Sequence, residues 1–150
     1  MTVVWTLNVH HEPVSVVRLR AGEDLPSWAD GLPLTTVTWT ERATTVICPT
    51  RSVPDQLPGL VEGPFVVFEV DQEVVIGTPG VLQALTRPLA EAHVAVFAVS
   101  TFHSHWLLVR AQDAHTARAS WAGAGHILVD VTRSAAPAHG TTDDEPKGPQ

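Results

Sequence analysis

The chain has 150 residues, 44% of them apolar and 17% charged, and carries a net charge of −7 at neutral pH. That balance describes a globular protein of one domain, or of two small ones sharing a core. Nine basic residues against sixteen acidic ones, with no basic stripe, argue against a nucleic-acid partner or an anionic membrane surface.

No apolar run reaches the length of a membrane span, and the start MTVVWTL has neither a charged leader region nor a cleavage site. The sequence therefore reads as cytoplasmic. Residues 3–9 and 14–20 predict two strands separated by a turn at His10-His11-Glu12-Pro13. Residues 25–30 (LPSWAD) predict a short helix, with Pro26 at its first position and Gly31 as its stop. Residues 34–40 and 43–48, rich in β-branched side chains, predict a hairpin around Glu41-Arg42. The single cysteine, Cys48, lies in the apolar run Val46-Ile47-Cys48 and reads as a buried small hydrophobe. Four prolines between residues 49 and 64 mark a connector.

The second part is more legible. Residues 64–71 (PFVVFEVD) are a β-branched and aromatic run, hence a strand, followed by a loop at 72–77. Thr78-Pro79-Gly80 opens a helix with Leu82, Leu85 and Leu89 at helical spacing, and Pro88 is expected to kink or break it. Residues 94–101 predict a second, buried strand, and residues 106–110 a third after a tight turn. Residues 113–123 predict a second helix and residues 126–131 the last strand. The order βαββαβ is that of an α+β, ferredoxin-like half-sandwich. Residues 133–150 lack a periodic apolar face and read as a disordered tail.

Among candidate sites, Ile76-Gly77-Thr78-Pro79-Gly80-Val81 stands first. Thr78 suits the cap, Pro79 the first helical position, and the N–H groups of Gly80 and Val81 are available to an anion such as a carboxylate. The same string also describes a plain capped helix behind a flexible loop. His103 and His105 form the second candidate, on the turn that follows Ser100, Thr101 and Phe102. Two imidazoles two residues apart can hydrogen-bond or shuttle a proton, but with no third ligand at metal spacing they predict no metal. An exposed turn that tolerates histidine is the plainer reading. His93 and His126 read as helix-terminal residues, His115 as exposed, and His10, His11 and His139 as turn or tail. No nucleophilic triad, phosphate loop or dinucleotide fingerprint is present, so no cofactor is expected.

The segments Phe68-Glu69-Val70-Asp71, Gly80-Val81-Leu82, PLAEA at 88–92, VFAVSTF at 96–102 and Leu107-Leu108-Val109 closely resemble the ACT domain. In order and spacing they are most similar to small tandem-ACT proteins related to the cytosolic arginine sensors (CASTOR) and to aspartokinase regulatory tails. The resemblance runs to about Thr132. It implies an abbreviated ACT-like module at 1–60, with a stub in place of the first long helix, and a complete ACT module at 61–132. It also implies a homodimer and a small-molecule site formed by Asp71, Ile76, Gly77, Thr78, Pro79, Gly80, Val81, Ser100, Thr101 and Phe102, with Trp39 from the first part. Similar proteins usually carry acidic residues where this chain has His103 and His105, and often a basic residue where it has Trp39. These departures remove formal charge and argue against a standard amino-acid ligand. The resemblance implies a sensory or regulatory binding protein. A cofactor-free acid/base isomerase or cyclase using His103 or His105 is the rival, and a bare interaction module a third reading.

Overall fold

The computed structural model describes residues 3–71 and 77–132. The predicted tail and Ile76 lie outside the described residues. The elements in chain order are β1 (Thr6–Leu19), β2 (Thr36–Trp39), β3 (Thr44–Pro49), β4 (Leu60–Val70), α1 (Val81–Glu91), β5 (Phe97–Ser100), β6 (His105–Arg110), α2 (Ala114–Gly123) and β7 (Ile127–Asp130). All seven strands join one sheet in the order β2-β3-β1-β4-β6-β5, with β7 beside β1. The fold is α+β, and β4 to β7 with the two helices give the expected βαββαβ order.

Where two strands and a turn were expected at the start, the chain forms one strand of 14 residues. Residues 10–13 do not turn. They are taken up as a bulge, because the β1–β4 register passes from His10↔Val67 directly to Val14↔Phe65. Pro13 falls in that unpaired stretch, where its missing N–H costs no ladder bond. A second slip lies between Val14 and Val16. There Gly63 (φ +138°) brings β4 so close that a Cβ would stand 3.2 Å from the Val14 carbonyl. The last strand, β7, does not pair with β4. It runs parallel to residues 6–9 of β1, which thereby lies between the first and last strands of the ACT order. The C-terminal half of β1 pairs instead with β3. β1, from the first part of the chain, thus pairs with β3 of that part and with β4 and β7 of the second.

Both helices pack on one face of the sheet. Leu7 and Val9 of β1, Phe68 and Val70 of β4, and Leu107 and Val109 of β6 meet Val81, Leu85 and Leu89 of α1 and Ala117 and Trp121 of α2. Each large side chain buried there contributes roughly 1.5–3 kcal/mol. Trp121 is the largest, with its indole N–H donating to the Leu85 carbonyl (2.8 Å) and its ring edge-on to Phe68. The opposite face is held by Val14, Leu34, Ile47, Phe65, Val67 and Leu108. A third cluster joins Val17, Leu19, Val46 and Cys48, with Trp28, Ala29 and Leu57 against it. Cys48 is buried there as expected, and burial pushes its thiol pKa up.

Three further expectations change. Residues 25–30 form a turn closed by Ala29 N–H to the Pro26 carbonyl (3.1 Å), not a helix. So short a segment cannot repay helix nucleation, and burial of Trp28 holds it instead. No stub α-helix occurs among the described residues before α1. Pro88 does not break α1, which runs unbroken from Val81 to Glu91. The one backbone bond it forgoes, to the Ala84 carbonyl, lies mid-helix, and the burial of Val81, Leu85 and Leu89 holds the helix despite that loss. The segment read as a buried strand at 94–101 is the short, mostly exposed edge strand β5. Its early residues instead close α1. Val94 N–H donates to the Leu89 carbonyl (2.8 Å) and His93 N–H to the Ala90 carbonyl (3.1 Å). That is a Schellman end with His93 in the left-handed region, φ 57°. The same motif ends α2 through Gly125 and His126.

Candidate functional site

Side-chain alternation decides which candidate residues share a face. Leu107 and Val109 face the helices, so His105 does too, and its partner Ser100 lies on the same side across the β5–β6 ladder. Ser100 Oγ and His105 Nδ1 are hydrogen-bonded at 2.8 Å. Val81, the first residue of α1, packs in one cluster with Val70 and Leu107, the near neighbours of Asp71 and His105. The start of α1, the end of β4 and the Ser100–His105 pair therefore gather at one end of the helix-bearing face.

The turn between β5 and β6 is pinned to that end. Thr101 donates its N–H (2.9 Å) and its hydroxyl (3.2 Å) to the Ser104 carbonyl. The Ser104 hydroxyl donates to the Val70 carbonyl at 2.6 Å, fixing the turn against the last residue of β4. The sequence reading gave Ser104 no role of its own, since a serine between two histidines carries no signal of so distant a partner. Phe102 is 71% exposed, with its ring edge-on to His103. His103 stays in the turn while His105 begins β6, so the two imidazoles do not converge. Among the described residues no group of three or more His, Cys, Asp or Glu is placed to hold a metal.

The helix start differs in detail from expectation. The N-cap is Gly80, in the left-handed region at φ 85°, with no side-chain cap hydrogen bond. Pro79 precedes the cap instead of opening the helix, and Thr78 stands two places before it. Ala84 N–H donates to the Gly80 carbonyl (2.9 Å), which makes Val81, Leu82 and Gln83 the first-turn residues whose N–H groups find no acceptor within the helix. Beyond its chain neighbours, no atom lies within 4 Å of where a Gly80 Cβ would be. Leu82 and Gln83 are exposed, whereas Val81 is buried.

Two proposed members sit apart. Asp71 follows the last residue of β4, but its carboxylate accepts from Asn8 Nδ2 (2.7 Å), and Asn8 faces away from the helices. Trp39 pairs with Thr44, which pairs with Leu19 at the far end of β1, about 40 Å along the strand from the α1 start. Its indole donates to the Glu23 carbonyl (3.0 Å) and its ring is half exposed on the edge strand β2. A cavity of about 500 Å³ opens at that end, lined in part by Leu19, Trp28 and Leu57.

Other histidines have structural partners. His10, read as a turn residue, sits in β1, with Nε2 2.8 Å from Glu69 Oε2 and its ring stacked on Trp106. His126 is buried, its Nδ1 accepting the Trp5 N–H (3.2 Å), so that nitrogen is unprotonated in this tautomer. Asp130 receives both terminal nitrogens of Arg118 at 2.9 and 3.0 Å, with His11 at 3.0 Å. Hydrogen bonding from Arg118, with its charge and that of His11, holds the Asp130 carboxyl below the usual range.

Residues 61–119 match the family described as ACT domain. Together with the βαββαβ order of β4 to β7 and the two helices, that match makes residues 61–119 part of an ACT domain. A crystallised protein from Agobacterium tumefaciens is 26% identical with a TM-score of 0.80, the alignment covering 91% of this chain and 100% of that one. A Vibrio cholerae protein of unknown function, described as a possible transport protein, gives a TM-score of 0.62 at 11% identity over 77% and 85% of the two chains. The regulatory subunit of aspartate kinase from Thermus flavus gives 0.54 at 9% identity over 82% and 97%. These last two share the fold. A search of curated proteins gives no match. Among the described residues no helix is long and apolar enough to cross a membrane.

Proposed function

We propose that this chain is a cytoplasmic regulatory ACT protein that binds a small carboxylate-bearing molecule at the start of α1. Residues 1–60 act as an abbreviated companion to the ACT module at 61–132. The observation that carries this reading is the convergence of an uncapped helix start with the Ser100–His105 pair on one face. The N–H groups of the exposed Leu82 and Gln83 and the helix dipole receive the carboxylate. Residues 77–80 permit close approach of a ligand. Ser100, Thr101 and Phe102 border the site, and His105 supplies a second hydrogen bond. Asp71 and Trp39 line the site of one chain only by rearrangement, or by contribution from a partner copy in a homodimer. Exposed Phe97, Ile127 and Val129 on the edge strands β5 and β7 suit such a partner.

Titration calorimetry of the full chain against amino acids, 2-oxo acids and their decarboxylated analogues tests the proposal. A carboxylate-bearing compound binds, its decarboxylated analogue does not, and Ser100→Ala or His105→Gln weakens binding about two- to tenfold. Binding indifferent to the carboxylate, or to both variants, would sink it. The Ser100–His105 hydrogen bond also favours a second reading, a cofactor-free isomerase or cyclase with His105 or His103 as general acid/base. That reading expects turnover, and a rate loss of about 100- to 10,000-fold in the Gln variant with substrate binding nearly intact.

A further inference from the structure

We propose a second ligand site, separate from the α1 loop, in the cavity at the far end of β1, and infer that it takes an organic cation: an ammonium or guanidinium group on an apolar body. The cavity holds about 500 Å³, within the range of roughly 300–1,000 Å³ usual for small-molecule sites. Leu19, Trp28, Leu57 and Pro58 form its apolar wall, and Glu23 and Asp24 also line it. The wall belongs to a packed region. Leu19 is buried at the end of β1, and Trp28 and Leu57 pack on the cluster that contains it. The Trp39 indole, donating to the Glu23 carbonyl, ties the acidic segment to β2.

Charge selects the guest. Among the described residues, the Asp24 carboxylate has neither an ion pair nor a hydrogen bond. Glu23 has Arg20, at the long distance of 3.9 Å, and the Arg20 side chain is 86% exposed. Two carboxylates against one loosely held guanidinium leave the cavity negative. An anion is repelled, while a cation is attracted to both carboxylates, with Trp28 in the same lining. The apolar wall supplies the area that a bare inorganic cation cannot use. The cation has two chemical sources, a free amine or a Lys or Arg side chain of another protein.

The test is an amide and indole NMR titration of the full chain with phenethylammonium, 2-phenylethanol as its neutral twin and 3-phenylpropanoate as its anionic twin. Phenethylammonium is expected to shift, saturably, the amides of Gly22, Asp24 and Leu57 and the indole signal of Trp28, while 3-phenylpropanoate does not. Asp24→Asn, at an exposed position, should weaken the response about two- to fivefold, and a change at Gly80 should leave it intact. Equal response to all three twins would overturn the cation assignment, and the absence of localised shifts with phenethylammonium would overturn the site. Displacement by agmatine but not by N-acetyl-arginine amide assigns the site to free amines. Displacement by N-acetyl-arginine amide assigns it to a protein side chain. Each supports the shared chemistry.

Discussion

Trp121→Phe tests whether α1, and with it the proposed site, is held to the sheet mainly through one indole. Trp121 is fully buried, donates to the Leu85 carbonyl at 2.8 Å and lies edge-on to Phe68 with ring centroids 4.7 Å apart. Phenylalanine keeps the edge-on contact but deletes the donor, a net loss of about 1 kcal/mol. The acceptor is not orphaned, because the Leu85 carbonyl remains within α1 and keeps its helical acceptor role. The smaller ring leaves a void of up to about 40 Å³, and at about 24 cal/mol per Å³ that adds roughly 1 kcal/mol. The sum is about 2 kcal/mol, against about 3–5 kcal/mol for Trp121→Ala. Urea unfolding followed by far-UV circular dichroism is the assay. The midpoint should fall with the slope unchanged, since the surface exposed on unfolding hardly alters. A loss below about 0.5 kcal/mol would mean that the side chain is poorly packed or the hydrogen bond adds nothing, and the account of how α2 holds α1 would be refuted.

The left-handed cap makes Gly80→Val a poor probe of the site, because a β-branched residue at φ 85° is expected to cost about 1–2 kcal/mol by itself. Gly80→Asn tolerates that backbone and sets a polar side chain over the helix start, so ligand affinity should fall while the melting temperature stays within a few degrees; unchanged affinity argues against the site. His93 sits at φ 57° in a Schellman end, so His93→Gly should raise stability by about 0.5–1 kcal/mol in the same urea assay, and a loss would show that the imidazole makes a contact of its own. Asp130 has a folded pKa below its unfolded one. Its contribution is therefore present above the unfolded carboxylate pKa of about 3.9 and disappears as pH falls through the folded value. The stability gap between wild type and Arg118→Ala should be small and salt-sensitive at neutral pH and should close in acid; a gap that widens with acid refutes the assignment.

The sequence by itself determined the ACT order. The β-branched run before Asp71, the Leu85 and Leu89 spacing and the apolar stretch at 107–109 each report a period set by local backbone geometry, and each forms the element it predicted. The hairpin of β2 and β3 and the burial of Cys48 were legible for the same reason. Tertiary structure decided the rest, because strand partners and side-chain faces depend on residues far apart in the chain. Nothing local in residues 3–20 separates a hairpin from one bulged strand. Pairing of His10 with Val67 and of Val14 with Phe65 on β4 settles it. Likewise, the insertion of β1 between β4 and β7 leaves no periodic trace, since any apolar strand could fill that slot. The candidate site divides along the same line. Its loop was readable as a helix start, but the left-handed cap at Gly80 replaces the expected Thr78 cap. Ser100 joined His105, and Asp71 turned to Asn8, through cross-strand register, where a shift of one residue sends a side chain to the opposite face.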